Sequence, residues 1–156
     1  MSTKITLQSV ITNRFITLDS LVEENLFHVS MKKENESPKE NMIWSIDDKI
    51  ENKQSSIVYY DGQSIDTDYF WGQTSKNKSI VDGKEVNLLS AFNIDYLPAV
   101  LFHFEYVDQI PFSKGYRISM ADKKYTLTIS KNDPEKIFFK DDTKHTINDT
   151  FYVRYV

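Results

Sequence analysis

Short strand-like runs recur all along this chain of 156 residues, and almost nothing in it follows the helical period. Runs rich in β-branched and aromatic residues, set apart by polar turns, are the signature of an all-β fold. They read as Ile5–Val10, Arg14–Leu18, Leu26–Met31, Met42–Ile46, Ser56–Tyr60, Tyr69–Gln73, Val86–Leu89, Val100–Val107, Tyr116–Met120, Tyr125–Ile129, Lys136–Lys140 and Phe151–Val156. The best helical stretch, Val86 to Phe92, is too short to stand alone. With only four glycines, Asn, Asp, Ser and Lys must supply most turns. Asp61-Gly62 and Asp82-Gly83 favour positive-φ turns, and Asn132-Asp133-Pro134 separates two strands.

Ten Phe, nine Tyr and two Trp provide a large apolar payload for a core. The absence of cysteine excludes disulfides and thiolate metal sites. A formal net charge of -4 argues against nucleic acid or an anionic membrane as the partner. The longest apolar-rich run, Leu97 to Phe104, is broken by Pro98 and His103, so no membrane insertion is expected. Met1-Ser2-Thr3-Lys4 leads into an alternating run rather than an apolar signal core, which fits the cytoplasm or leaderless secretion.

Alternation is clearest at the end of the chain, where Phe151, Val153 and Tyr155 share one face; in the same way Phe102, Phe104 and Tyr106 set an aromatic face, expected to point inward, against His103 and Glu105. Twelve runs grouped by four give units of roughly 4–50, 55–109 and 114–156. Asn13 to Leu18 aligns with Lys123 to Thr128, out of step by one residue in its alternation. Each unit closes on an aromatic strand, at Trp44, Phe102 and Phe151, and the middle one carries extra residues around Ser75–Glu85. Three units of four strands, each closed by a buried aromatic, resemble a β-trefoil. Asn13-Arg14-Phe15-Ile16-Thr17-Leu18-Asp19, then Val29, then Asn41-Met42-Ile43-Trp44, resembles a ricin-B-type lectin repeat, with Met42 where that family has the Gln of its Gln-x-Trp. The competing architecture is a lipocalin-like antiparallel β-barrel with a ligand cavity.

Chemistry of the catalytic kind finds little support. His28, His103 and His145 fall in three different units without ligand spacing, no Gly-x-Ser-x-Gly elbow is present, and glycines do not cluster into a phosphate cradle. No enzyme, metal or cofactor is expected. The segment most suggestive of a site is Asp66-Thr67-Asp68-Tyr69-Phe70-Trp71-Gly72-Gln73. Asp66, Asp68 and Gln73 could hold sugar hydroxyls, Tyr69 and Trp71 could offer aromatic platforms, and Gly72 would let a ligand come close to the backbone. The same aromatics equally suit plain packing, since Trp is usually well buried. The family resemblance implies a second pocket at Asp19, Asn25 and Phe27, and a weaker one at Asp122, Tyr125 and Asn148.

The expected function is a non-catalytic carbohydrate-binding, lectin-like domain. The alternative is a trefoil that binds a protein partner, as a protease inhibitor, a cytokine-like ligand or a toxin accessory, through its Lys32–Asn41 and Ser75–Glu85 loops. Joint exposure of Asp68 and Trp71 in a concave patch would favour the lectin, and burial of Trp71 would move the weight to the loops.

Overall fold

The computed structural model describes residues 3–47, 50, 55–61, 68–107, 115–122, 124–141 and 144–156. Strands dominate, with short 3-10 turns at Glu34–Glu36, Lys39–Met42 and Ile147–Asp149. The strands are β1 (Thr3–Ser9), β2 (Phe15–Glu23), β3 (Leu26–Lys32), β4 (Trp44–Ile46), β5 (Val58–Tyr60), β6 (Tyr69–Gly72), β7 (Lys78–Val81), β8 (Lys84–Asn87), β9 (Ser90–Phe92), β10 (Phe102–Val107), β11 (Gly115–Met120), β12 (Thr126–Ser130), β13 (Asp133–Lys140) and β14 (Thr150–Tyr155).

Six of these strands close a ring. β14 pairs with β1, β1 with β4, β4 with β5, β10 with β11, and β11 with β14. The remaining gap is bridged by two backbone hydrogen bonds between Ser56 and Phe102, at 2.8 and 2.9 Å. Hairpins β2–β3, β6–β9 and β12–β13 cap the ring. Their inner strands meet one another, since β3 pairs with both β9 and β13, and Leu89 N–H donates to Ile137 C=O at 3.0 Å. Ring closure satisfies strand edges that would otherwise invite aggregation.

The pairing register repeats threefold. Ile5 faces Trp44, Ser56 faces Phe102, and Tyr116 faces Phe151. Three residues further on, Gln8 faces Phe15, Tyr59 faces Phe70, and Ser119 faces Thr126. Next come the core pairs Ile16–Met31, Trp71–Ala91 and Leu127–Phe139. Size is balanced within each pair, Trp71 facing the smallest partner, as a core at near-crystalline density requires. This register aligns Arg14 with Tyr125 and Phe15 with Thr126. The out-of-step alignment of Phe15 with Tyr125 was therefore one residue off, and no bulge is needed there.

The ring is filled rather than hollow. Trp44, Trp71, Phe102, Phe104 and Phe151 are fully or almost fully buried in one cluster. Trp71 stands edge-on to Trp44 at 5.3 Å and to Phe102 at 5.7 Å between ring centroids. This packing sets aside the lipocalin-like alternative, which needs an internal cavity. Tyr106 departs from its expected inward face: it is exposed near the end of β10, beside the ring of Tyr116.

The stretch Ser75–Glu85 is not a plain loop. It holds most of the β7–β8 hairpin, which forms a two-stranded sheet of its own among the described residues and turns on Asp82 and Gly83, both at positive φ. Val86 to Phe92, the best helical stretch, is extended, because its apolar residues serve the hairpin and β9 in turn. Val81, Leu88 and Phe138 form a small second core under the hairpin.

Candidate functional site

Trp71 is the clearest correction to the expected site. It is wholly buried on β6 and presents no face to a ligand, so by the criterion set above the weight moves from this segment to the loops, the Ser75–Glu85 insertion among them. Threefold register explains this: Trp71 occupies the position of Ile16 and Leu127, both core residues. Gly72 does bring the backbone close to a partner, but that partner is Phe92. A Cβ at Gly72 would lie 2.1 Å from the Phe92 ring.

The other residues of that segment separate. Asp66 lies outside the described residues. Asp68 is exposed, and its carboxyl is pushed above the usual range by partial burial and by the nearby charges of Asp61 and Asp47. Tyr69 is half-buried, edge-on to Phe27 at 4.9 Å. Phe27 thus packs against both the core and Tyr69 instead of standing free as a platform. Gln73 points elsewhere: its amide accepts from Asn87 Nδ2 at 3.0 Å and donates to the Met120 sulfur at 3.4 Å.

The pocket expected at Asp19, Asn25 and Phe27 is engaged internally. Asp19 accepts from Ser30 Oγ at 2.6 Å and pairs with Lys32 at 3.6 Å. Burial raises its carboxyl, but the Ser30 bond and the charges of Lys32 and His28 outweigh that and hold it below the usual range. Asn25 adopts positive φ at the β2–β3 turn and is tied to Asn93 at 2.9 Å. Asp122 likewise caps its own turn, accepting from Lys124 N–H at 2.9 Å.

A concave surface does exist, walled by the middle unit's insertion. A groove of about 560 Å³ runs between the β7–β8 hairpin and the β12–β13 pair, and Gln73, Asn87, Tyr125, Thr128, Phe138 and Asn148 are among its lining residues. Two of the weaker sequence candidates, Tyr125 and Asn148, are thereby brought together with Gln73. Asn87, Thr128 and Phe138 were missed, because nothing in sequence says that the inserted hairpin folds over the third unit. The Asp82-Gly83 turn between Ser79-Ile80-Val81 and Glu85-Val86 was the available signal for a hairpin there.

Several charges at the groove are paired within the chain. Lys84 pairs with Asp141 at 3.9 Å and Glu85 with Lys78 at 3.3 Å. Lys140 pairs at 2.7 Å with the fully buried Asp149, which also accepts from the Thr146 N–H at 3.1 Å. Asp82 accepts from Ser130 Oγ at 2.8 Å and Asn132 Nδ2 at 3.1 Å; these bonds hold its carboxyl below the usual range and pin the hairpin tip. Side-chain amides, hydroxyls and the half-buried Tyr125 ring, with the Lys124 ammonium 5.8 Å from its centroid, line the groove beside these charges. Such a surface suits an uncharged polar ligand with an apolar face.

No family model and no curated protein matches the chain. Solved structures do. The Macrolepiota procera ricin B-like lectin, solved in complex with lactose, is 13% identical with a TM-score of 0.65, covering 96% of this chain and 93% of that one. The Rhizoctonia solani agglutinin is 14% identical with a TM-score of 0.68, covering 100% and 96%. Cry35Ab1 is 12% identical with a TM-score of 0.59; the match spans 99% of this chain but 36% of that larger one. Together with the closed ring, the three capping hairpins and the threefold register, these likenesses give the chain the β-trefoil fold of the ricin B-like lectins.

Proposed function

We propose that this chain is a non-catalytic carbohydrate-binding domain, a single domain whose three units span roughly 4–50, 55–109 and 114–156, and that its ligand seat is the groove between the β7–β8 hairpin and β12–β13. The observation that carries this reading is the groove's composition. Gln73, Asn87 and Asn148 offer amide donors and acceptors for hydroxyls, and Tyr125 offers a ring for the apolar face of a pyranose. The lactose bound by the Macrolepiota procera lectin supports a saccharide as the ligand class. The units are not equivalent as sites. Tyr125 aligns with Tyr69, which packs on Phe27, and with Arg14, which pairs with Glu36 at 3.3 Å. One seat per chain follows. A glycan array and titration calorimetry test this: Tyr125→Ala and Asn148→Ala should each weaken binding about tenfold, the loss of roughly 1.4 kcal/mol. Wild-type affinity in both variants, or no glycan bound by the parent, would overturn it.

A second reading has its own support. Leu21, Val22, Ile94 and Leu97 are exposed apolar residues near the adjoining β2–β3 turn and 93–97 segment, which Asn25–Asn93 and Glu23–Tyr96 hydrogen bonds hold together. Exposed aliphatic clusters mark protein contacts. Leu21→Ser combined with Ile94→Ser would abolish capture of such a protein partner and leave glycan binding intact.

A further inference from the structure

The hairpin that walls the groove is anchored at its base by a titratable residue from a different unit. Asn77, just before β7, is buried, and its Nδ2 donates to Ser90 Oγ at 2.9 Å and meets His28 Nδ1 at 3.2 Å. Ser90 Oγ in turn donates to the Leu88 carbonyl at 3.3 Å, and Leu88 N–H donates to the Asn77 carbonyl at 2.9 Å. Asn77 and Leu88 are the two ends of the hairpin, so this network closes its base. With both amide N–H groups committed as donors, His28 Nδ1 must accept, and the neutral ring carries its proton on Nε2.

We propose that His28 and Asn77 form a proton-sensitive hinge: protonation of His28 frees the base of the β7–β8 hairpin and weakens ligand binding in the groove. The ligand half of this rests on the groove being the glycan seat. The hinge half does not. A proton on Nδ1 would face an N–H of Asn77, donor against donor. Turning the amide over to present its oxygen would take away Ser90's donor and leave Ser90 to abandon the Leu88 carbonyl for the amide oxygen. Either way the base network rearranges.

The charged groups facing His28 sharpen the response. Asp19 lies on β2, Lys32 on β3 and Lys136 on β13, while the described residues of the middle unit present the neutral Asn77 and Ser90. Burial lowers the imidazole's affinity for a proton, Asp19 opposes that, and Lys32 and Lys136 add to it. The fold therefore favours the neutral ring. Its contribution is complete above the free-histidine value, about pH 6.5, and is lost as pH falls below it.

Hydrogen exchange of the full chain at about pH 7.5 and about pH 5 tests the hinge without any ligand. Protection of the amides of residues 78–87, corrected for intrinsic rates, should fall at least about fivefold at the lower pH relative to β12 and β13. His28→Gln, which keeps an acceptor but cannot titrate, should flatten that difference. If this variant does not fold, NMR titration of the wild type serves instead, and the hairpin amides should shift with the same midpoint as the His28 ring. Equal protection at both pH values, an unchanged fall in His28→Gln, or hairpin amides that ignore the His28 midpoint would each overturn the hinge. Lactose titration at the same two pH values reads the coupling, with affinity expected to drop at acid pH in the wild type only. No lactose binding at either pH, with the exchange result standing, would count against the glycan seat and not the hinge.

Discussion

A single added methyl at Gly72 would collide with the Phe92 ring, whose nearest atom lies 2.1 Å from the Cβ position. Phe92 is itself buried, with the tilted ring of Tyr96 at 5.8 Å between centroids, so it has little room to move. Gly72→Ala should cost about 3 kcal/mol or more, at the upper end for overpacking, and lower Tm by roughly 10 °C in a thermal melt. The two tryptophans differ in a way that mutagenesis can read. Trp44 donates its indole N–H to the Ile16 carbonyl at 2.9 Å, whereas the buried indole N–H of Trp71 has no partner among the described residues. Replacing either by Phe removes similar ring volume. Only Trp44→Phe also leaves a carbonyl without its donor, so it should be the more destabilising by about 1 kcal/mol in urea unfolding.

The β7–β8 hairpin stands apart from the main sheet and walls the groove. Its apolar footing is Val81 and Leu88 against Phe138, with Val86 alongside, and its tip depends on the Asp82 bonds to Ser130 and Asn132. Those bonds hold the Asp82 carboxyl below its usual range. A depressed carboxylate stabilises the folded state above its unfolded pKa and stops doing so as pH falls through the folded value. Tip contacts should therefore persist at neutral pH and fade below about pH 4. Asp82→Ala should raise exchange at residues 80–85 at neutral pH and abolish that acid step, with the global Tm little changed. Replacing Lys78–Asn87 by a short Gly-Ser linker should leave a folded trefoil by circular dichroism while removing Asn87 and one wall of the groove, and with them glycan binding.

On the scale of the whole molecule, stability depends on three equivalent aromatics, one at the start of the last strand of each unit. Trp44, Phe102 and Phe151 are fully buried; Trp44 and Phe151 pair with the first strand of their own unit, and Phe102 bridges to Ser56 just before β5. Because the ring closes only when all three units are present, loss of any one should weaken the entire fold. Phe102→Ala and Phe151→Ala should each cost about 3–5 kcal/mol. Unfolding followed by fluorescence and by circular dichroism should stay coincident, a single transition and not the melting of one unit. Separate transitions would mean that the units fold independently.

The all-β class, most strand positions and the three closing aromatics were legible in the chain because strand periodicity, turn chemistry and residue type are local properties. Asp82-Gly83 turns as expected, and Trp44, Phe102 and Phe151 go inside as their strands require. The site was another matter. Asp68, Tyr69, Trp71 and Gln73 are neighbours in sequence, yet the structure sends Asp68 to solvent, Tyr69 against Phe27, Trp71 into the core and Gln73 to the groove. Which face of β6 is buried follows from its threefold register with β2 and β12. That register is fixed by hydrogen bonds between strands far apart in the chain. The groove likewise exists only because an insertion in the second unit folds over strands of the third, a meeting of Gln73 and Asn87 with Tyr125 and Asn148 that local sequence does not encode. Strand identity is thus a matter of side-chain chemistry along the chain, whereas concavity and recognition are decided by closure of the ring and the long-range packing it imposes.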